Sequence, residues 1–338
     1  MDPSSVPDFD DLPKVEGQPQ GCAWGLFDKD GKKDVFGTLN FLTPQIVAAA
    51  AAEVKDGVSI SLNWPLNGIK FQLPGRKPPV HRPLYLGETF GVPFEGWDDE
   101  LEFNTQFSSQ WDSLCHVTPN GTAYNGVKTT EEALSAQSTA ENALPTIDHW
   151  HSRGAVVGRG VLIDWKRYHE ETTGTPFHPL DGYRITTEDI EKVAKYQGVE
   201  FKHGDILIIR TGYTEILEAP TPEDMAKFRA GTLSGVHGTV ETARWAWNRR
   251  FAAVAGDSHA FEAVPALKPD GTVGGVSDLV LHPWFLNRFG MPIGELWDLK
   301  ALSEYAKKTG RYSFLLTSAP LNHPGLVASP PNAIAVFQ

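Results

Sequence analysis

Apolar residues fall along the chain in three patterns, and each predicts an element. Continuous apolar runs bounded by glycine or polar residues occupy 154–165, 206–210, 251–255, 313–317 and 333–337. Runs this short read as buried strands. Alternation over Val58-Ser59-Ile60-Ser61-Leu62 reads as a strand with one covered face, and 101–111 resumes as strand. Helices are marked by their caps. Thr43-Pro44 opens one that runs through the alanines to Val54 and stops at Gly57. Thr187 caps 188–197, whose first turn is acidic, and Thr221-Pro222 opens a helix to Ala230. Further helices are predicted at 238–250, 279–289 and 296–307, with short ones at 131–140 and 146–152.

Strands that alternate with helices place the chain in the α/β class. No repeat and no domain-sized linker interrupts the pattern, so 21–338 is expected to be a single catalytic domain. Residues 1–20 are polar, acidic and rich in proline. They are expected to form an arm, flexible or wrapped on the surface, and they lack the basic start and apolar run of a secretory signal. Segment 65–93 is a long stretch rich in Pro, Gly and basic residues, with no predicted element. Together with the arm, it is expected to help cover a neighbouring subunit.

A chain of 338 residues can bury a large core. Its net charge of −12 repels phosphate backbones and anionic lipid, so nucleic acid and membrane are excluded as expected partners. No apolar window of about 18 residues suggests a membrane span. Cys22 and Cys115 are the two cysteines, too few for a disulfide scaffold, which points to a reducing, cytoplasmic setting. No glycine-rich phosphate loop or G-x-S-x-G elbow follows a strand, which argues against dinucleotide binding, phosphoryl transfer and ordinary serine hydrolysis.

Four places concentrate reactive side chains. In Gln106-Phe107-Ser108-Ser109-Gln110-Trp111-Asp112-Ser113-Leu114-Cys115-His116, extended backbone would point Gln110 and Asp112 one way and Trp111 the other. A carboxylate near an imidazole serves acid/base chemistry or a metal, although a hydrogen-bonded structural pair is the commoner use. Asp257-Ser258-His259, with Glu262 close behind, sits at the end of a predicted strand, where catalytic groups gather; a capped turn is the plainer reading. His282 and Glu295 lie thirteen apart, and His282 precedes a proline as a helix cap would. Tyr124-Asn125-Gly126 reads as a turn presenting polar groups, most simply a surface turn. Among eleven histidines, His149, His151, His169, His178 and His323 are taken as surface or packing residues.

Several blocks, in order, carry a resemblance. They are Thr38-Leu39-Asn40, 110–116, Tyr124-Asn125-Gly126, 158–164, 204–212, 290–299 and 329–334. From about Trp24 to its end, the chain resembles the cyclase family, metal-dependent hydrolases that include bacterial kynurenine formamidases and isatin hydrolases. The resemblance implies the swivelling β/β/α fold, with mixed sheets and flanking helices; the arm and segment 65–93 make a homodimer or homotetramer the expected assembly. The family motif H-x-G-T-H-x-D-x-x-x-H uses two histidines and the aspartate as metal ligands and its last histidine as acid/base. Here Asp112 and His116 match, while Gln106 and Gln110 replace the two histidines. A further His and Glu, spaced like His282 and Glu295, complete the family's metal site.

An amide oxygen is a neutral, weaker ligand than imidazole and favours harder ions. The expected metal set is Gln110, Asp112, His282 and Glu295, holding Mn²⁺ or Zn²⁺ and less readily Mg²⁺. The expected catalytic groups are His116, Asp112 and His259. Trp24, Phe107 and Trp111 are expected as apolar walls, with Tyr124 and Asn125 as further substrate contacts. The implied activity is hydrolysis of a cyclic or N-acyl amide, or a lactone, in a small-molecule substrate. The two glutamines open the alternative of a metal-free cyclase, dehydratase or isomerase on the same scaffold.

Overall fold

The computed structural model describes residues 2–71, 73 and 75–337. The apolar runs become the middle of a large mixed sheet. In chain order the strands are β1 Ser59–Ser61, β2 Val80–Tyr85, β3 Trp97–Glu102, β4 Gln110–Asp112, β5 Val156–Asp164, β6 Arg184–Ile185, β7 Ile206–Arg210, β8 Gly235–Val236, β9 Ala253–Gly256, β10 Ile293–Glu295, β11 Ser313–Ser318, β12 Ala328–Ser329 and β13 Ala333–Val336. Nine of them form one sheet in the order β1-β13-β11-β5-β7-β9-β10-β4-β12. Its centre, β5, β7, β9 and β10, is parallel, and every residue of β7 and β9 is buried. This explains their unbroken apolar sequences, because helices cover both faces of a parallel sheet. The helices Thr187–Gln197 and Val240–Asn248 lie between successive parallel strands. The strands on either flank are antiparallel.

Four details differ from the sequence reading. The Thr187–Gln197 helix is capped one residue earlier, by Thr186, because Thr186 and Asp189 exchange hydrogen bonds in a capping box. The stretch 101–111 is two strands, separated by turns at 104–109. Segment 65–93 holds β2 and the short helix Leu86–Phe90, and β2 pairs with β3 just beyond it as an antiparallel hairpin. The predicted helix 279–289 is a π-helix, Pro283–Phe289, opened by proline and closed by Gly290 at φ 68°.

The N-terminal arm is of the wrapped kind. Val6, Phe9 and Leu12 recur every third residue, the period of the tight 3-10 turns found there, and all three are buried. The Phe9 ring lies 5.3 Å from that of Trp284. Trp247 donates to Pro7 O at 3.0 Å, and Arg250 donates to Val6 O at 2.6 Å and to Asp8 at 2.7 Å. A flexible arm would leave these three apolar side chains in water, whereas docking adds them to the main core.

Candidate active site

The site is assembled at the junction of β4 and β10. Their antiparallel register sets Glu295 opposite Gln110 and Ile293 opposite Asp112. Alternation along β4 sends Gln110 and Asp112 to one face. Trp111 faces the other way, against Trp150 and Trp297 at 6.0 and 4.9 Å, and donates to Ser318. Gln110 Nε2 donates to Glu295 Oε2 at 2.7 Å. Gln106 Nε2 donates to Asp112 Oδ1 at 2.7 Å and stands 3.2 Å from either ring nitrogen of His116. A carboxylate only accepts, so the amide must turn its nitrogen toward Asp112.

His282 arrives from a different element, the residue just before the π-helix. Glu262, downstream of β9, fixes it there. Glu262 Oε2 accepts the backbone N–H groups of Val280 and Leu281 at 2.9 and 3.1 Å, and Oε1 accepts that of His282 at 2.9 Å. Oε1 also meets His282 Nδ1 at 2.8 Å. With Nδ1–H committed to Glu262, Nε2 is turned to Glu295 Oε1 at 3.2 Å. This carboxylate–histidine pairing is the way proteins orient a metal-ligating imidazole.

Asp112, His282 and Glu295 each offer a ligand atom, and these atoms lie within 4.8 Å of one another. All three residues are buried. Beside them, Gln110 Oε1 and Asp112 Oδ2 are sealed from solvent with no hydrogen-bond partner among the described residues. A buried oxygen left without a donor is costly, and two at one point describe a cradle for a cation. The donor set, three oxygen-bearing side chains and one imidazole, fits a divalent ion of intermediate hardness.

Burial, reinforced by the charge of Asp112, lifts the Glu295 carboxyl to about 7, although His282 and Arg76 pull the other way. Burial opposes a charge on His282, but hydrogen bonds to Glu262 and Glu295 overcome it and raise its pKa to about 10. Burial, then the charges of Arg76 and His282, lowers His259 to about 3, so its ring is neutral. These groups open into a cleft of about 950 Å³. Arg76, His116, His259, His282 and Glu295 are among its polar lining, and Val240, Val264, Pro265, Leu279, Pro283 and Trp284 supply apolar wall.

The family model described as a putative cyclase matches residues 42–263. The chain belongs to this family. A solved structure described as a novel cyclase is 32% identical over 93% of this chain and 99% of its own, with a TM-score of 0.76. Isatin hydrolase A from Labrenzia aggregata, bound to benzyl benzoate, is 15% identical, covering 87% of this chain and 98% of its own, with a TM-score of 0.54. The isatin hydrolase A of Ralstonia solanacearum is likewise 15% identical, covering 88% and 98%, with a TM-score of 0.56. At that identity the two hydrolases share the fold. None of the curated proteins matches the chain.

Within this cyclase-family chain, Gln110, Asp112, His282 and Glu295 come together, and His116 and His259 border the same cleft. The expected substrate contacts are elsewhere. Trp111 is core, as strand alternation requires, and Phe107 is buried in a second apolar cluster with Trp64 and Leu180. Trp24 is half-buried and donates to Asn287 O at 2.7 Å, away from the cleft lining. Tyr124 and Asn125 form a buried clamp rather than a surface turn. Asn125, at φ 62°, accepts from Gly25 N at 2.8 Å and donates to Asp28 at 2.6 Å, and Tyr124 donates to Asp34. The walls come instead from 264–284, where no single residue type marked them. Asp257 is structural: it accepts from Thr211 N, Thr211 Oγ1 and Gly212 N at 2.8, 2.8 and 2.6 Å. Two polar groups at the site escaped the sequence reading. Arg76 sits in the segment without predicted elements, and Glu262 was noted only as a neighbour of His259.

Proposed function

We propose that this protein is a metal-dependent hydrolase of a cyclic or N-acyl amide, or a lactone, carried by a small and largely apolar molecule. The observation that carries the reading is the pair of unpartnered buried oxygens, Gln110 Oε1 and Asp112 Oδ2, beside His282 and Glu295, which line the cleft. Gln110, Asp112, His282 and Glu295 would hold the ion, with Mn²⁺ or Zn²⁺ the best match to a set this rich in oxygen. A bound divalent ion supplies Lewis-acid polarisation of the scissile carbonyl and a water of lowered pKa.

The chain's own residues do the rest. His116 stands at the cleft with Gln106 Nε2 against its ring, able to pass a proton from the attacking water to the leaving nitrogen or oxygen. Gln106 ties the position of His116 to that of Asp112, so the proton carrier and the ion share one support. Glu262 takes the Nδ1 side of His282 and leaves Nε2 as the atom an ion would meet, in place of the Nε2 proton. The apolar wall strips water from the substrate and strengthens every charge interaction at the floor.

One observation favours the metal-free alternative of a cyclase, dehydratase or isomerase. His282 bridges Glu262 and Glu295, and Gln110 already satisfies Glu295, so much of the floor is internally paired. The two unpartnered oxygens weigh against it. Elemental analysis of unchelated protein, with turnover of aryl lactones and N-acyl anilines before and after chelation, tests the choice. Bound metal and activity restored by Mn²⁺ or Zn²⁺ support hydrolysis, and chelator-resistant turnover supports the alternative.

The quaternary reading is a homodimer or homotetramer. Its support is the β2–β3 hairpin, which leaves Phe90, Val92, Phe94, Trp97 and Leu101 exposed. A two-stranded hairpin is marginal in water on its own. Unpaired, buried Cys22 and Cys115 fit a reducing, cytoplasmic setting, and no helix among the described residues is long and apolar enough to cross a membrane.

A further inference from the structure

The helix that supplies part of the cleft wall also carries a cation that no described carboxylate pairs with. Arg288 lies in the last turn of Pro283–Phe289, six residues beyond His282, and lines the cleft. Its backbone is pinned from outside the helix. Ala23 N donates to Arg288 O at 3.0 Å. The neighbouring Asn287 donates to Thr122 O at 2.8 Å, and its own carbonyl accepts from Trp24 Nε1 at 2.7 Å. The Arg288 side chain runs back toward the start of the helix, as helical side chains do, and sets its guanidinium over the Trp284 ring, 4.7 Å from the centroid.

Stacking on an indole uses the face of a guanidinium and leaves its in-plane N–H donors unspent. Nε is sealed from solvent and has no partner among the described residues. Nη1 and Nη2 have no acceptor there either, but they are not sealed, so they are the donors a ligand in the cleft would meet. An arginine at an open surface needs no partner, because water takes its N–H groups. Arg288 differs in having one donor cut off from water and acceptor alike. The two acids of the cleft lining are engaged elsewhere: Asp278 accepts from Gly275 N at 2.8 Å, and Glu295 from Gln110 at 2.7 Å. The ionisable group that feels Arg288 is Cys22, whose thiol burial keeps protonated, at about 11. A protein of net charge −12 thus keeps an unpaired cation in the lining of its cleft.

This cation stands apart from the reacting groups. His259 feels the charges of Arg76 and His282, whereas Arg288 acts on Cys22. Trp284 lies between His282 and Arg288 along the helix and contributes apolar wall. We propose that Arg288, braced on Trp284, is a subsite for a carboxylate at the end of the substrate remote from the bond that is hydrolysed. The assignment rests on the hydrolase reading above. It narrows that reading to acids in which an apolar spacer separates the carboxylate from the scissile amide or lactone. The planar fork of Arg288 matches a carboxylate with parallel N–H···O bonds, and Trp284 receives the spacer.

The test uses full-length protein as purified, with Mn²⁺ added, and two inert probes, hydrocinnamate and hydrocinnamamide, titrated by calorimetry. The probes share one apolar body and differ in charge at its end. Wild-type protein is expected to bind the acid at least about tenfold more tightly than the amide, the worth of one charge-assisted hydrogen bond. R288Q and R288M should lose that preference, with Mn²⁺ content unchanged by elemental analysis and the amide bound as before. R288M keeps an apolar stem over Trp284 and decides the matter should R288Q misfold. R288K, which keeps the charge but not the fork, should retain part of the preference. Equal binding of the two probes by wild type, or a preference that survives in R288Q or R288M, overturns the subsite. A carboxylate that ligates the ion directly gives that second result. So does an Arg288 that only covers Trp284, whose loss lowers the melting temperature and nothing else. The hydrolase reading fails separately, through absent metal or absent lactone turnover, and the probe preference is measured without turnover.

Discussion

Replacing Glu262 by Gln isolates the part of the site that holds His282. The two side chains have the same shape, so only charge and donor pattern change. In the native protein one carboxylate oxygen takes His282 N and His282 Nδ1, and the other takes Val280 N and Leu281 N. All four partners are donors. A glutamine can accept from one pair but must present its NH₂ to the other, leaving two buried donors facing a donor. If the amide oxygen stays with the backbone pair, His282 Nδ1–H loses its acceptor and Nε2 loses its fixed direction. Losing one charge-assisted bond costs about 1.5–3 kcal/mol. At about 1.4 kcal/mol per decade, that is roughly a 10- to 100-fold loss of ion affinity, which matches the usual effect of removing a histidine's carboxylate partner. The assay is competition for Mn²⁺ against a fluorescent chelator, with the melting temperature recorded in parallel. If Glu262→Gln lowered the melting temperature but left ion affinity within twofold, Glu262 would serve only the turn at 280–282, and His282 would not be the ligand the geometry makes it.

His116→Ala should retain bound metal and lose about 10²- to 10⁴-fold in kcat, the usual worth of a positioned proton carrier; loss of the metal itself would contradict its role. His259, lowered to about 3, binds fewer protons folded than unfolded across the interval up to its ordinary value of about 6.5. Its contribution is therefore fully present above about 6.5 and is lost as pH falls toward 3; denaturant unfolding from pH 7 to 4 should be less pH-dependent in H259N than in wild type. Burial raises both thiols, Cys22 to about 11 and Cys115 further, so neither should be alkylated by iodoacetamide at pH 8 until denaturant is added, as read by mass spectrometry. Light scattering should give a dimer or tetramer, and charged substitutions at Phe94 and Trp97 should shift it toward monomer; a wild-type monomer would refute the quaternary reading.

The parallel centre of the sheet was legible because burial on both faces leaves an unbroken apolar run, as in 206–210, where prediction and strand coincide. Helix starts were legible from caps such as Thr43 and Thr221. The grouping of Asp112, His282 and Glu295 was legible only through the family blocks: the β4–β10 register brings Gln110 to Glu295 across 185 residues, and Glu262 delivers His282 from a third element. Aromatic content misled. Phe107 and Trp111 flank reactive side chains in sequence, but strand alternation and core packing turn them away. The cleft wall had no signature, because valine, proline and leucine in a loop read the same whether they line a cleft or close a core. The arm's role rested on a three-residue period over only three positions, too short to stand out in an acidic, proline-rich stretch.

The docked arm also has a consequence for the order in which the molecule is completed. Its partners lie near the far end of the chain: Phe9 N binds Asn248 across 239 residues, and the Phe9 ring rests on Trp284 and Phe289. Closing so long a loop is slow and must await synthesis of the π-helix. Residues 6–12, made well before 248–289, thus find their places late, and the helix carrying one cleft wall stays uncovered on its Phe9 side until they do. A nascent chain stopped before residue 290 would hold Asp112 and His116 without Glu295, so the cleft is completed in one late step rather than accumulated along the chain.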